Sequence, residues 1–186
     1  MCCWAGSSRA LRVAAATLLL LGWSGAASSK VFLTVDEALR LAFAGSRVER
    51  RTAYLTKEQV EKAARLSGEE VASALVTYYQ GPGGFAYFDT HRVRTLPETL
   101  MVVVDPQGQV KRIEVISFRE PEEYMPRGNW YGQFQGRKLD RELEIKRGIH
   151  PVTGATLTVR ATTGAVRRVL ALHQVIAQGS EGRKRP

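Results

Sequence analysis

The chain changes its hydrophobic period twice. Val35, Ala38, Leu39 and Ala42 recur at helical spacing. Thr34-Val35-Asp36-Glu37 ahead of them is a capping box and Gly45 is a stop, so a helix is expected to about Ala44. Thr56-Lys57-Glu58-Gln59 is a second capping box, opening a helix with Val60, Ala63 and Ala64 inward. Ser67-Gly68-Glu69-Glu70 interrupts that helix, and Val71 to Tyr79 fits either a short helix or a strand. Gly81-Pro82-Gly83-Gly84 is a turn, and beyond it the period is two. Phe85, Tyr87 and Asp89 alternate with Ala86, Phe88 and Thr90. Leu100 to Val104 and Val110 to Phe118 flank Asp105-Pro106-Gln107-Gly108, the pattern of a hairpin. Residues 119–140, rich in Pro, Gly and aromatics, read as a long irregular loop, and Leu143 to Ile145 as a short strand. Helical spacing returns from about Thr158 to Gln178, with Val159, Val166, Val169, Leu170, His173, Ile176 and Ala177 on one face and Gly179 as the stop.

These elements predict an α+β fold. An antiparallel sheet, with the hairpin around residues 100–118, carries N-terminal helices and a C-terminal helix packed on it. Residues 30–84 form an N-terminal helical part, residues 85–179 the main domain and residues 180–186 a basic tail.

The first thirty residues stand outside this pattern. Arg9 and Arg12 precede the apolar run Val13 to Trp23, and Ser24-Gly25-Ala26-Ala27 follows it. That is the layout of a signal peptide, residues 1–26, cleaved after Ala26 or Ala27. The run is about half the ~20 residues a spanning helix needs. Cys2 and Cys3 leave with the signal, so the mature chain has no thiol for a disulfide, a nucleophile, a metal or a haem. Loss of Arg9 and Arg12 leaves a net charge of +7 from the +9 of the full chain. The expected location is the periplasm or the outer face of the membrane.

The segment His150-Pro151-Val152-Thr153-Gly154-Ala155-Thr156-Leu157-Thr158 leads into the closing helix. Thr153, Thr156 and Thr158 are cap candidates, and the small Gly154 and Ala155 leave the backbone uncovered. Thr156 is therefore an accessible hydroxyl beside a helix N-terminus, where amide N–H groups and the helix dipole favour negative charge. An ordinary loop-to-helix turn fits the same residues.

Thr153-Gly154-Ala155-Thr156 resembles the [S/T]-G-A-T core of the FMN-binding domain family, which includes the C subunit of the sodium-pumping NADH:quinone reductase and the G subunit of Rnf complexes. Glu120-Pro121 resembles its E-[T]-P segment, and Trp130, Gln133-Phe134 and Gly136-Arg137-Lys138 its aromatic-x-x-Q-F-x-G-K segment. The similarity covers roughly residues 85–178, and His150 stands where the family often has Asp. The resemblance implies FMN joined to Thr156 by a phosphoester, placed there by a dedicated flavin transferase. It implies an extracytoplasmic electron carrier, not an enzyme with its own substrate, working with redox partners such as a quinol-linked membrane complex or a cytochrome. Thr153, Gly154, Ala155 and Thr158 complete the expected tether site. Trp130, Tyr131 and Phe134 are expected as walls for the flat apolar flavin ring, and Glu120 and Tyr124 as polar contacts to it.

Other constellations change little. His91, His150 and His173 fit no metal-ligand spacing, and no metal site is expected. His173 reads as a core histidine. Asp89 and His91 share a strand face with no serine to complete a triad. No dinucleotide fingerprint or P-loop occurs. The basic clusters, Arg167-Arg168 among them, read mostly as solvated faces, and secretion points to acidic redox partners and away from nucleic acid. Two alternatives remain open: a cofactor-free envelope module binding anionic surface polymers, and a flavin-dependent reductase of small molecules.

Overall fold

The structure, a computed structural model, describes Met1 and residues 30–183, with side chains placed as far as Gly179. The signal-peptide segment and the end of the basic tail lie outside the described residues. Strand β1 (Lys30–Val31) is followed by α1 (Val35–Ala42), β2 (Glu49–Tyr54), α2 (Lys57–Ser67), β3 (Leu75–Gly81), β4 (Gly84–Arg92), β5 (Pro97–Val104) and β6 (Val110–Phe118). Two single 3-10 turns, Glu122–Tyr124 and Trp130–Phe134, precede the long helix α3 (Thr156–Arg183). The strands form one wholly antiparallel sheet in the order β1-β6-β5-β4-β3-β2. The fold is α+β, as its periodicities predict.

Three layers follow from the strand alternation. Tyr87, Leu100, Val102 and Val104 face α3, against Val159, Val166, Val169 and Leu170, and α2 lies alongside α3. Ala86, Met101 and Val103 face the other way, against Ala38, Leu39 and Phe43 around α1. This explains the unbroken apolar run of β5: it is covered on both faces, so it has no polar alternate positions to display. Both capping boxes are formed. Thr34 and Thr56 accept from the amides of Glu37 and Gln59, whose side chains accept in return. Gly68, in the left-handed region at φ 74, ends α2.

Four expectations change. The 30–84 segment is not only helical: it supplies β1, β2 and β3 to the common sheet. β2 carries no alternation because it is an exposed edge strand. Leu143 to Ile145 is not a strand, since its one pairing is the isolated bridge Ile145–Ile149. Helix α3 begins at Thr156, two residues before the expected start. It also continues through Gly179, which lacks the positive φ that a left-handed stop requires.

A buried polar cluster joins β4, β5 and α3. Arg168 donates twice to Asp89, at 2.9 and 2.8 Å. His91 bridges Asp89 and Glu98, 3.0 Å from each. Glu98, fully buried, also accepts from Thr162 Oγ1 at 2.9 Å and from the Tyr131 hydroxyl at 3.1 Å. Arg168 is therefore a paired interior cation and not part of a solvated face. Its neighbour Arg167 donates to the carbonyls of Ser67, Asp140 and Leu143. His173 is a core histidine, 3.0 Å from the Tyr87 hydroxyl.

Burial works to lower the His91 pKa, but Asp89 and Glu98 outweigh it and push it up to about 9. Burial works to raise Asp89, and the bonds from His91 and Arg168 outweigh it and hold the carboxyl below its ordinary value. A raised histidine stabilises fully below its unfolded value of about 6.5 and loses that contribution as pH climbs. Unfolding free energy is expected to fall from pH ~6.5 towards about 9, as measured by urea titration at each pH. His91→Gln should flatten that limb. The acid limb should shrink but remain, because Arg168 still holds the Asp89 carboxyl low.

Candidate functional site

Helix α3 meets no capping side chain among the described residues. Thr156 is its first residue, and among the described residues no side chain accepts from the amides of Thr156, Leu157 or Thr158. The hydroxyls expected to cap are engaged elsewhere or left open. Thr158 Oγ1, fully buried, donates to the Tyr124 carbonyl at 2.6 Å. Thr153 and Thr156 are exposed, and Thr156 Oγ1 makes no hydrogen bond to a described residue. Gly154, at φ 86, occupies a backbone conformation that side-chain-bearing residues rarely adopt, and it lifts the chain into the helix. Ala155 is buried beneath the turn.

The segment before this turn is held by the second 3-10 turn. Trp130 Nε1 donates to the His150 carbonyl at 2.7 Å, and the His150 amide donates to Gln133 Oε1 at 2.8 Å. Arg137 donates to the Gly148 carbonyl at 2.9 Å. A Cβ at Gly148 would collide with the Glu142 carbonyl oxygen, so this approach tolerates no side chain. The aromatic-x-x-Q-F-x-G-R segment is thus a bracket for the threonine loop. Trp130 and Phe134, expected as ring walls, belong to the core: their rings meet edge to face at 5.3 Å and Phe134 is fully buried. The Tyr131 hydroxyl is directed at Glu98.

Glu120 is not a solvated carboxylate: it is buried. Its Oε1 accepts from the amides of Thr95 and Leu96, at 2.6 and 2.7 Å, and from the Thr95 hydroxyl at 3.2 Å. Burial works to raise its pKa, and those bonds outweigh it, so the carboxyl stays below the usual range. Its work is to tie the β4–β5 turn to the segment after β6. Tyr124, from the first 3-10 turn, lies beside the threonine loop. Arg94 of the β4–β5 turn lies over its ring, 5.6 Å from the centre, with Nη1 3.4 Å from its hydroxyl.

Thr156 borders two concavities. The smaller, about 170 Å³, is lined by Val93, Arg94, Tyr124 and Gly154 to Thr158. The larger, about 910 Å³, lies between the end of α2, the loop around Asp140 to Lys146 and the α3 face carrying Arg160, Thr163 and Gly164. Arg141, Lys146, Arg160 and Arg167 put four cations on its walls, against Glu69, Asp140 and Glu144. Two other concavities, of about 440 and 720 Å³, flank β6 and touch none of the three threonines. The structure therefore brings Thr156, Gly154, Ala155, Thr158 and Tyr124 together, keeps Thr153 on the adjacent surface, and assigns Glu120, Trp130 and Phe134 to the frame. Sequence reading missed Arg94, whose approach to Thr156 depends on how the β4–β5 turn meets α3.

Residues 96–171 match the FMN-binding domain family, a stretch running from the start of β5 into α3 and containing Thr156. No curated protein and no solved structure matches the chain.

Glu120→Gln should loosen the β4–β5 turn, because a neutral amide accepts more weakly than a carboxylate. The expected cost is about 1–3 kcal/mol. Amide exchange at Thr95 and Leu96 should accelerate while the core strands stay protected.

Proposed function

With an FMN-binding domain over residues 96–171 and FMN as its cofactor, we propose that the chain is an extracytoplasmic electron carrier whose flavin is attached by a phosphoester to Thr156. The observation that carries this reading is the state of the Thr156 hydroxyl. It is exposed, makes no hydrogen bond and meets no helix-capping side chain among the described residues, and is bordered by two concavities. Negative charge at such a start is favoured by the amide N–H groups and the dipole. The larger concavity falls within the ~300–1,000 Å³ typical of small-molecule sites.

A threonine hydroxyl is a weak nucleophile, and among the described residues no base is hydrogen-bonded to this one. Attachment therefore falls to a separate flavin transferase, which the exposed loop and small Gly154 can admit. His150 supports the turn through its backbone N–H and C=O, so its identity in place of the family's Asp leaves the bracket intact. FMN, when bound, supplies the redox chemistry. The chain's residues supply position and field: the bracket fixes Thr156, and the cations of the larger concavity favour acidic partners. A quinol-linked membrane complex or a cytochrome fits that role. A tethered flavin also suits a location outside the cytoplasm, where a loosely held one would be lost by diffusion.

Chain secreted by a host that has a flavin transferase should gain the mass of one FMN less one water, and its yellow colour should survive denaturation. Thr156→Ala should be colourless and of peptide mass. Because Thr156 is exposed, its stability should stay within about 0.5 kcal/mol of wild type. Wild-type protein with only its peptide mass would contradict the attachment.

A further inference from the structure

The smaller concavity beside Thr156, about 170 Å³, is below the ~300–1,000 Å³ of sites for drug-sized ligands. It suits a small group and not a ring system. Its one charged lining residue is Arg94. The Arg94 guanidinium forms no ion pair among the described residues. It is nevertheless positioned, lying on the Tyr124 ring with Nη1 3.4 Å from the hydroxyl.

Both partners in that stack are fixed from below. Glu120 grips the turn that carries Arg94, through Thr95 and Leu96. Thr158 grips the carbonyl of Tyr124. These two anchors are themselves buried, Glu120 at 4% exposure and Thr158 at 0%. An arginine on a free surface spends rotamer entropy when it binds; one already laid on an aromatic platform spends less. The planar guanidinium matches phosphate oxygens two at a time.

We infer that Arg94, laid on the Tyr124 ring, is the phosphate-recognising residue of this site and draws the phosphate of FMN into the smaller concavity, which leaves the larger one to the ring system. The inference rests on FMN being the ligand, but not on the ester to Thr156. It gives Glu120, Tyr124 and Thr158 a shared purpose: each sets the place of Arg94.

The test uses the full chain carrying Thr156→Val, which cannot form the ester, titrated with FMN and with riboflavin, which lacks the phosphate. Flavin fluorescence reports binding. FMN should bind about tenfold more tightly or better than riboflavin. Adding Arg94→Ala should remove that preference with riboflavin affinity unchanged, and Arg94→Lys should restore part of it. Arg160→Ala, on the larger concavity, should leave the preference in place. Equal affinity for the two flavins, binding of neither, a preference that survives Arg94→Ala, or one lost equally in Arg160→Ala would each overturn the inference. The attachment proposal fails separately, on the mass of the secreted wild-type chain.

Discussion

Apolar packing alone would let a long helix slide along a sheet, because hydrophobic burial has no direction. The register of α3 is set by polar bonds. Arg168 grips Asp89 on β4 through two parallel hydrogen bonds, Thr162 reaches Glu98 on β5, and Thr158 reaches the Tyr124 carbonyl. These contacts are spaced along the first half of the helix, and together they decide where Thr156 emerges. The cluster is costly to bury unless it is complete. It is complete: no buried side-chain nitrogen or oxygen among the described residues lacks a partner. Glu98 is satisfied by three donors, and the protonated His91 together with Arg168 sets two cations against the carboxyl groups of Asp89 and Glu98.

A second frame presents the threonine loop to solvent. Trp130, Gln133 and Arg137 bind backbone groups of Gly148 and His150, so the segment before Gly154 is held without covering the hydroxyl that follows. The same division recurs across the site. Side chains with apolar bulk or buried charge build the frame, and Thr156 and Arg94 stay exposed beside it. The FMN-binding domain match spans both kinds of residue, running from β5 through the bracket to the middle of α3.

Local signals in the chain were legible where one element decides the outcome. The capping boxes at Thr34 and Thr56, the glycine turn at 81–84 and the hairpin around Asp105 each depend on neighbours in sequence, and each forms. The T-G-A-T core was read through a family resemblance, and it lies within the matched residues 96–171. What escaped depends on pairing between distant segments. β2 lacks alternation because both its faces are largely exposed, so nothing in its pattern marks it. The union of Asp89, His91 and Glu98 follows from β4–β5 register, and Arg168 joins only once α3 is laid across them. Trp130 and Phe134 illustrate a different limit: an aromatic that lines a ligand and one that fills a core look alike in sequence. Here both rings pack into the main core cluster, Phe134 fully buried.

The account turns on one oxygen atom, and peptide mapping of the secreted protein tests it most directly. Trypsin releases residues 148–160, which contain Thr153, Thr156 and Thr158. Fragmentation of that peptide should locate the flavin mass on Thr156 alone. An unmodified peptide, or a flavin mass on Thr153 or Thr158, would contradict the account.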